Sequence, residues 1–185
     1  FTILNMKKKH LDVLKNYQQY GEHYNHAINY NNKFLKAVNY GRLETTRPTI
    51  RAKKLGEHFN IIEHIQRTGE PKLALCGASI TKGLQRYPTI WEKHFAPLSA
   101  INLGIGGDTT QHVLWRIENI ELPTSVEYFV IHCGTNNILR NSAAHIGDGV
   151  LSIGVMAKKR NPQLTVIVTG LLHCDMNGQQ TMHSV

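Results

Sequence analysis

From Pro71 onward, short apolar runs alternate with longer amphipathic stretches, and this rhythm most constrains what the chain can fold into. Leu73-Ala74-Leu75-Cys76, Ala100-Ile101-Asn102-Leu103, Tyr128-Phe129-Val130-Ile131-His132 and Thr165-Val166-Ile167-Val168-Thr169 read as strands, the last being the most strongly β-branched. Helical stretches are expected over residues 90–95, 110–119 and 143–159, the last stopped by Asn161-Pro162. Strands that alternate with helices build parallel βαβ units with right-handed crossovers. The expected fold is an open α/β sheet of parallel strands, preceded by a basic helical segment.

Charge divides the chain. Residues 1–68 carry 12 Lys+Arg against 5 Asp+Glu, whereas residues 69–185 carry 9 against 8, so the formal +8 belongs almost wholly to the first third. Five of the seven tyrosines also lie there. Thr68-Gly69-Glu70-Pro71 punctuates the change, and the expected organisation is a helical arm over 1–68 and an α/β domain over 69–185. Within the arm, Leu14, Tyr17, Tyr24, Ile28, Leu35 and Val38 fall on one seam of three- and four-residue steps, with Gly21 and Asn31 at its two skipped positions, which predicts one or two amphipathic helices over 11–38. A further helix over 52–66 places Leu55, Phe59, Ile62 and Ile65 on one face. Such a segment is either a solvated helical leader or an arm whose cations meet phosphates and whose tyrosines stack on bases. In the second case, nucleic-acid affinity would reside in 1–68 and weaken steeply with salt.

Composition excludes several classes. No run approaches the ~20 apolar residues of a membrane span, and the opening Phe1-Thr2-Ile3-Leu4-Asn5-Met6 meets Lys7-Lys8-Lys9 too soon for a signal peptide. The first residue is not Met, so the chain reads as a piece of a longer product. Cys76, Cys133 and Cys174 form no Cys-x-x-Cys pair, and free thiols in a reducing, cytoplasmic setting are expected. Cys133 reads as a small buried hydrophobe and His132 as a hydrogen-bonded core residue.

In parallel α/β sheets, ligands sit beyond the carboxyl ends of the strands. The first strand is followed by Gly77-Ala78-Ser79-Ile80-Thr81, the second by Gly104-Ile105-Gly106-Gly107-Asp108-Thr109-Thr110, and the third by Gly134-Thr135-Asn136-Asn137. A hydroxyl, a glycine turn with free N–H groups and a side-chain amide are the parts of acyl transfer: a nucleophile plus oxyanion donors. Competing motifs fail. Position 109 is Thr where a dinucleotide fingerprint needs Gly, Lys82-Gly83 reverses the P-loop order, and position 81 is Thr where a Gly-x-Ser-x-Gly elbow needs Gly. The histidines show no metal-ligand spacing, so neither metal nor cofactor is expected.

These three blocks, together with His112-Val113-Leu114-Trp115-Arg116, resemble the SGNH (GDSL) hydrolase superfamily over about residues 71–175. Within it, residues 91–137 look most like the catalytic α-subunits of intracellular platelet-activating-factor acetylhydrolases, and they also resemble esterase-like domains of retroelement open reading frames. The resemblance implies a three-layer α/β, flavodoxin-like parallel sheet, incomplete here at its C-terminal edge, with Ser79 as nucleophile. Its oxyanion hole would be the backbone N–H groups of Ser79 and Gly107 and the amide of Asn136, each donor being typically worth ~2.7–4 kcal/mol. It implies a small ester or phospholipid substrate with an acetyl or short acyl group. Asp108 and Arg116 read as loop and helix-cap structure.

Two departures stand out. The family's Gly-Asp-Ser is Gly77-Ala78-Ser79 here, and no Asp-x-x-His block supplies a general base; His173, Asp175 and His183 are the only late candidates. The expected protein is therefore a serine ester hydrolase impaired as written. The alternatives are a pseudo-esterase used for oligomerisation and a non-catalytic retroelement accessory module with a nucleic-acid-binding arm. With its last strand missing, the sheet is expected to expose an edge and to self-associate.

Overall fold

The computed structural model describes residues 44–172, together with strands at Cys174–Met176 and Gln179–Thr181. The compact unit that holds them begins at Arg42. The helices expected over 11–38 lie outside the described residues.

In chain order the elements are α1 (Leu55–Arg67), β1 (Leu73–Gly77), α2 (Ser79–Gly83), α3 (Pro88–His94), β2 (Ile101–Asn102), α4 (Thr110–Glu118), β3 (Tyr128–His132), α5 (Ala143–Arg160), β4 (Thr165–Val168), β5 (Cys174–Met176) and β6 (Gln179–Thr181). The main sheet is parallel, in the order β2-β1-β3-β4, while β5 and β6 form a separate antiparallel pair. That order coincides with the first four positions of the flavodoxin-like order 2-1-3-4-5. Leu73 pairs with Tyr128 and Gly77 with His132, so β1 and β3 end level with each other. The chain crosses from one side of β1 to the other between β2 and β3. Such a switch opens a crevice at the strand ends.

Alternation along the strands sends side chains to two different layers. Ala74, Cys76, Ile101, Phe129 and Ile131 pack against Ile61 and Ile65 of α1, Val113, Leu114 and Ile117 of α4, and Ile146, Val150, Ile153 and Ala157 of α5. Leu73, Leu75 and Val130 face the other way, onto Leu84 and onto Trp91 and Phe95 at α3. Buried on both faces, β1 needs the unbroken apolar run seen in the sequence.

The division drawn at residue 68 needs correction for the stretch 44–68. The shift in charge there is real, but the contacts run across it. Ile61 and Ile65 belong to the main core, Thr45 Oγ1 donates to the His145 carbonyl, and Arg51 reaches Asp108. The amphipathic face over 52–66 is thus the inner face of a helix that covers the sheet.

Candidate active site

β1 delivers the chain into the Gly77-Ala78 turn, and Ser79 opens α2 with its side chain at the surface. Ala78 is buried, so the turn accepts a small residue where the family pattern has Asp. The loop after β2 lies directly against this turn. A Cβ on Gly104 would sit 2.4 Å from the Lys82 nitrogen and 2.9 Å from the Ala78 oxygen, so only glycine permits the approach. Asn102 fastens the two loops, its Nδ2 donating to the Thr81 carbonyl at 2.7 Å and its Oδ1 accepting from the Gly104 N–H at 2.9 Å. Further along, Gly107 turns the chain at φ +79°, a conformation that side-chain-bearing residues rarely adopt.

The third loop joins through its two asparagines, which do different things. Asn136 is exposed and donates from Nδ2 to the Asp108 carbonyl at 2.7 Å. An amide nitrogen carries two hydrogens, so this bond sets the orientation and leaves one N–H for a ligand. Asn137 is fully buried. Its Oδ1 accepts from the Thr110 N–H at 3.0 Å and its Nδ2 donates to Gln111 and Asn141, which anchors the loop to the start of α4.

Beneath these loops lies a charged brace. Arg116 and Asp108 are both buried, and Arg116 Nε meets Asp108 Oδ2 at 2.8 Å. The same guanidinium donates to the Leu103 carbonyl at 2.6 Å and to the Gly77 carbonyl at 3.1 Å. One side chain therefore ties the exits of β1 and β2 to the residue that follows Gly107. The other carboxylate oxygen of Asp108 takes Arg51 Nη1 at 3.1 Å. A shallow pocket beside the brace is lined by Arg51, Lys54, His58, His112 and Trp115 among others.

The titratable neighbours are kept neutral. Burial, reinforced by the Arg116 charge, pushes His58 down to about 4. Burial likewise lowers His112, whose Nδ1 accepts from the Thr109 N–H at 3.2 Å and so closes the start of α4. His132 sits half-buried at the end of β3 with Nδ1 2.8 Å from the Thr169 hydroxyl, and burial lowers it too. Burial pushes the Cys76 thiol up to about 12 and raises Cys133, which leaves both as uncharged core groups.

The structure thus puts Ser79, Gly107 and Asn136 at the ends of three adjacent strands, in loops tied to one another by Asn102, Arg116 and Asp108. Among the described residues, no hydrogen bond reaches the Ser79 hydroxyl, and no group of His, Cys, Asp and Glu is arranged to hold a metal. His173 and His183, and the side chain of Asp175, lie outside the described residues. Sequence reading missed Arg51. Its one signal was an arginine in a segment whose apolar face turned out to be internal.

No family model matches the chain. Over 104 residues it is 43% identical to platelet-activating factor acetylhydrolase IB subunit alpha2 of Homo sapiens, a match covering 56% of this chain and 44% of that protein. Subunit alpha1 of Bos taurus is 42% identical over 104 residues, with the same coverage. The chain spans under half the length of these curated relatives. Among solved structures, an acylhydrolase from Bacteroides fragilis superposes with TM-score 0.52 at 23% identity, over 62% of this chain and 57% of that one. A GDSL-like lipase from Bacteroides thetaiotaomicron does so with TM-score 0.50 at 22% identity, over 67% and 59%. These likenesses fix the fold as that of GDSL-type hydrolases. In sequence the chain is similar to the platelet-activating factor acetylhydrolase subunits, and in fold to GDSL-type hydrolases.

Proposed function

We propose that this chain carries the nucleophile and oxyanion hole of a serine ester hydrolase of SGNH type, acting on acetyl or other short acyl esters, phospholipids included. The observation that carries the reading is the Asn136 amide held on the Asp108 carbonyl at 2.7 Å, one residue beyond Gly107 and with one N–H to spare. In this reading the Ser79 oxygen attacks the acyl carbonyl. The charge that develops on the carbonyl oxygen is met by the N–H groups of Ser79 and Gly107 and by that free amide hydrogen. The alcohol leaves, and water then releases the acyl group from Ser79. A cytoplasmic, reducing setting suits the two buried free thiols.

The attacking hydroxyl has to lose a proton, and the 185 residues contain no Asp-x-x-His block to take it. A serine without its base keeps only the contribution of oxyanion hole and binding, ~10³–10⁴-fold over water. The expected result is negligible hydrolysis of p-nitrophenyl acetate and slow labelling of Ser79 by a fluorophosphonate. Extending the chain with an Asp-x-x-His block should raise turnover by orders of magnitude, and Ser79→Ala should abolish the gain. An extended protein that stays inert with Ser79 intact would favour the non-catalytic accessory module. Turnover by the 185-residue chain that survives Ser79→Ala would mean that the site has been misassigned.

A further inference from the structure

The Gly106–Gly107 peptide is gripped from behind. Arg51 Nη1 donates to the Gly106 carbonyl at 2.9 Å and to Asp108 Oδ1 at 3.1 Å. Its guanidinium lies against Gly107 itself: a Cβ there would stand 3.0 Å from Nη2 and 3.1 Å from Nη1. The Gly106 carbonyl and the Gly107 N–H belong to one peptide unit, and among the described residues no peptide bond is cis. In a trans unit the two point in opposite directions. A cation fixed on the carbonyl therefore aims the N–H away from itself, and it draws electron density from the amide so that the N–H donates more strongly.

We propose that Arg51 is a positioning residue for the oxyanion hole, orienting and polarising the Gly106–Gly107 peptide so that the Gly107 N–H faces the developing oxyanion. The proposal rests on the reading of Gly107 as an oxyanion donor. It extends the functional unit into a segment that carries none of the superfamily's motifs. Arg51 is well suited to the task. The Asp108 carboxylate, itself fixed by Arg116, holds its head group, while its side chain remains 22% exposed at the rim. Lysine does not replace it, because a compact, strongly hydrated ammonium on a flexible stem lacks the rigid plane whose Nη1 and Nη2 both lie against Gly107.

The test uses the full 185-residue chain and follows the rate at which a fluorophosphonate labels Ser79, read by intact mass. The phosphoryl oxygen of that probe takes the oxyanion's place. Ser79→Ala comes first, and if it labels as fast as the parent, the site reading fails and Arg51 is not the cause. With Ser79→Ala silent, Arg51→Ala should slow labelling by about tenfold, less than loss of a whole donor. Arg51→Lys should be nearly as slow. Low-millimolar guanidinium should restore much of the Arg51→Ala rate, whereas sodium chloride of equal ionic strength should not. An Arg51→Ala rate equal to the parent's overturns the proposal while leaving the site reading intact. So does a slowing that guanidinium does not relieve and that Ile153→Val, a core change far from the loops, reproduces at equal loss of melting temperature.

Discussion

One face of the parallel sheet lies under three helices, the other chiefly under the short α3. On the first, Phe129, Ile131, Ile101 and Ile153 are all fully buried. On the second, Leu73 and Leu75 are buried, but Tyr128 and Ile167 remain 44% and 42% exposed. The loops at the strand ends are braced from the thick side: Arg116 comes from α4, and Arg51 precedes α1. In the proposed reading Ser79 has to face solvent, whereas Gly107 and Asn136 serve only if their donors are aimed. The depth of the layer follows the demand for fixed geometry.

The sharpest way to break that contrast is to remove the centre of the brace. Asp108→Ala leaves Arg116, 3% exposed, without its carboxylate and Arg51 without its second anchor. An unpaired buried charge costs about 3–5 kcal/mol, so urea unfolding should show a loss of that size. A loss below ~1 kcal/mol would show that the backbone carbonyls of Leu103 and Gly77 alone hold the guanidinium.

The four strands of the sheet are legible in the sequence because the physics that selects them is local. A run such as Leu73-Ala74-Leu75-Cys76 has to be covered on both faces, and β1 occupies just those positions plus Gly77. The loops were legible for the same reason, since a switch-point crevice places chemistry after strands. The brace was not, because Arg51 and Asp108 stand 57 residues apart and nothing local marks an arginine that will be internal. The charge shift at residue 68 misled on the same grounds. Lys54 pairs with Glu57, Arg67 with Glu63 and Arg51 with Asp108, so cations that read as a solvated arm are partly matched within the domain. Residues 1–43 still hold seven Lys+Arg against two Asp+Glu, and the nucleic-acid reading now rests on them. The β5–β6 pair went unread because neither strand is long enough for a period to show.

A second prediction sharpens the account of the thick face through acid. His58 is 1% exposed, its ring rests 5.1 Å from that of Trp115, and among the described residues neither ring nitrogen has a hydrogen-bond partner. Its folded value of about 4 lies below the 6.5 of an exposed histidine. Between those values the unfolded chain takes up a proton that the folded chain refuses. The stabilisation is therefore whole above pH 6.5 and drains away as the pH falls to about 4. The linked loss is ~3 kcal/mol, at 1.36 kcal/mol per unit. Comparing the stability of the parent and of His58→Phe across that range isolates this histidine from the carboxylates that also titrate there. A parent curve parallel to that of the variant would mean that His58 is not the group responsible.

The smallest effect on stability, and the clearest on association, belongs to the other end of the contrast. β2, one edge of the sheet, offers only two residues, too few to template another strand. β4, the opposite edge, is four residues of Thr165-Val166-Ile167-Val168, and among the described residues nothing pairs with its outer side. Ile167 and Val168 are 42% and 52% exposed, with Leu172 just beyond. An exposed β-branched edge without charge is a template for pairing between copies. The chain is expected to self-associate with rising concentration in sedimentation velocity. Val168→Lys should suppress this while changing unfolding stability by no more than ~0.5 kcal/mol, as for most surface substitutions. The lysine acts on the encounter between copies, where two like charges must approach, and leaves the paired side of β4 intact. Association unchanged by Val168→Lys but reduced by truncating exposed Leu151 and Val155 on α5 would move the contact from the sheet edge to the helix beside it.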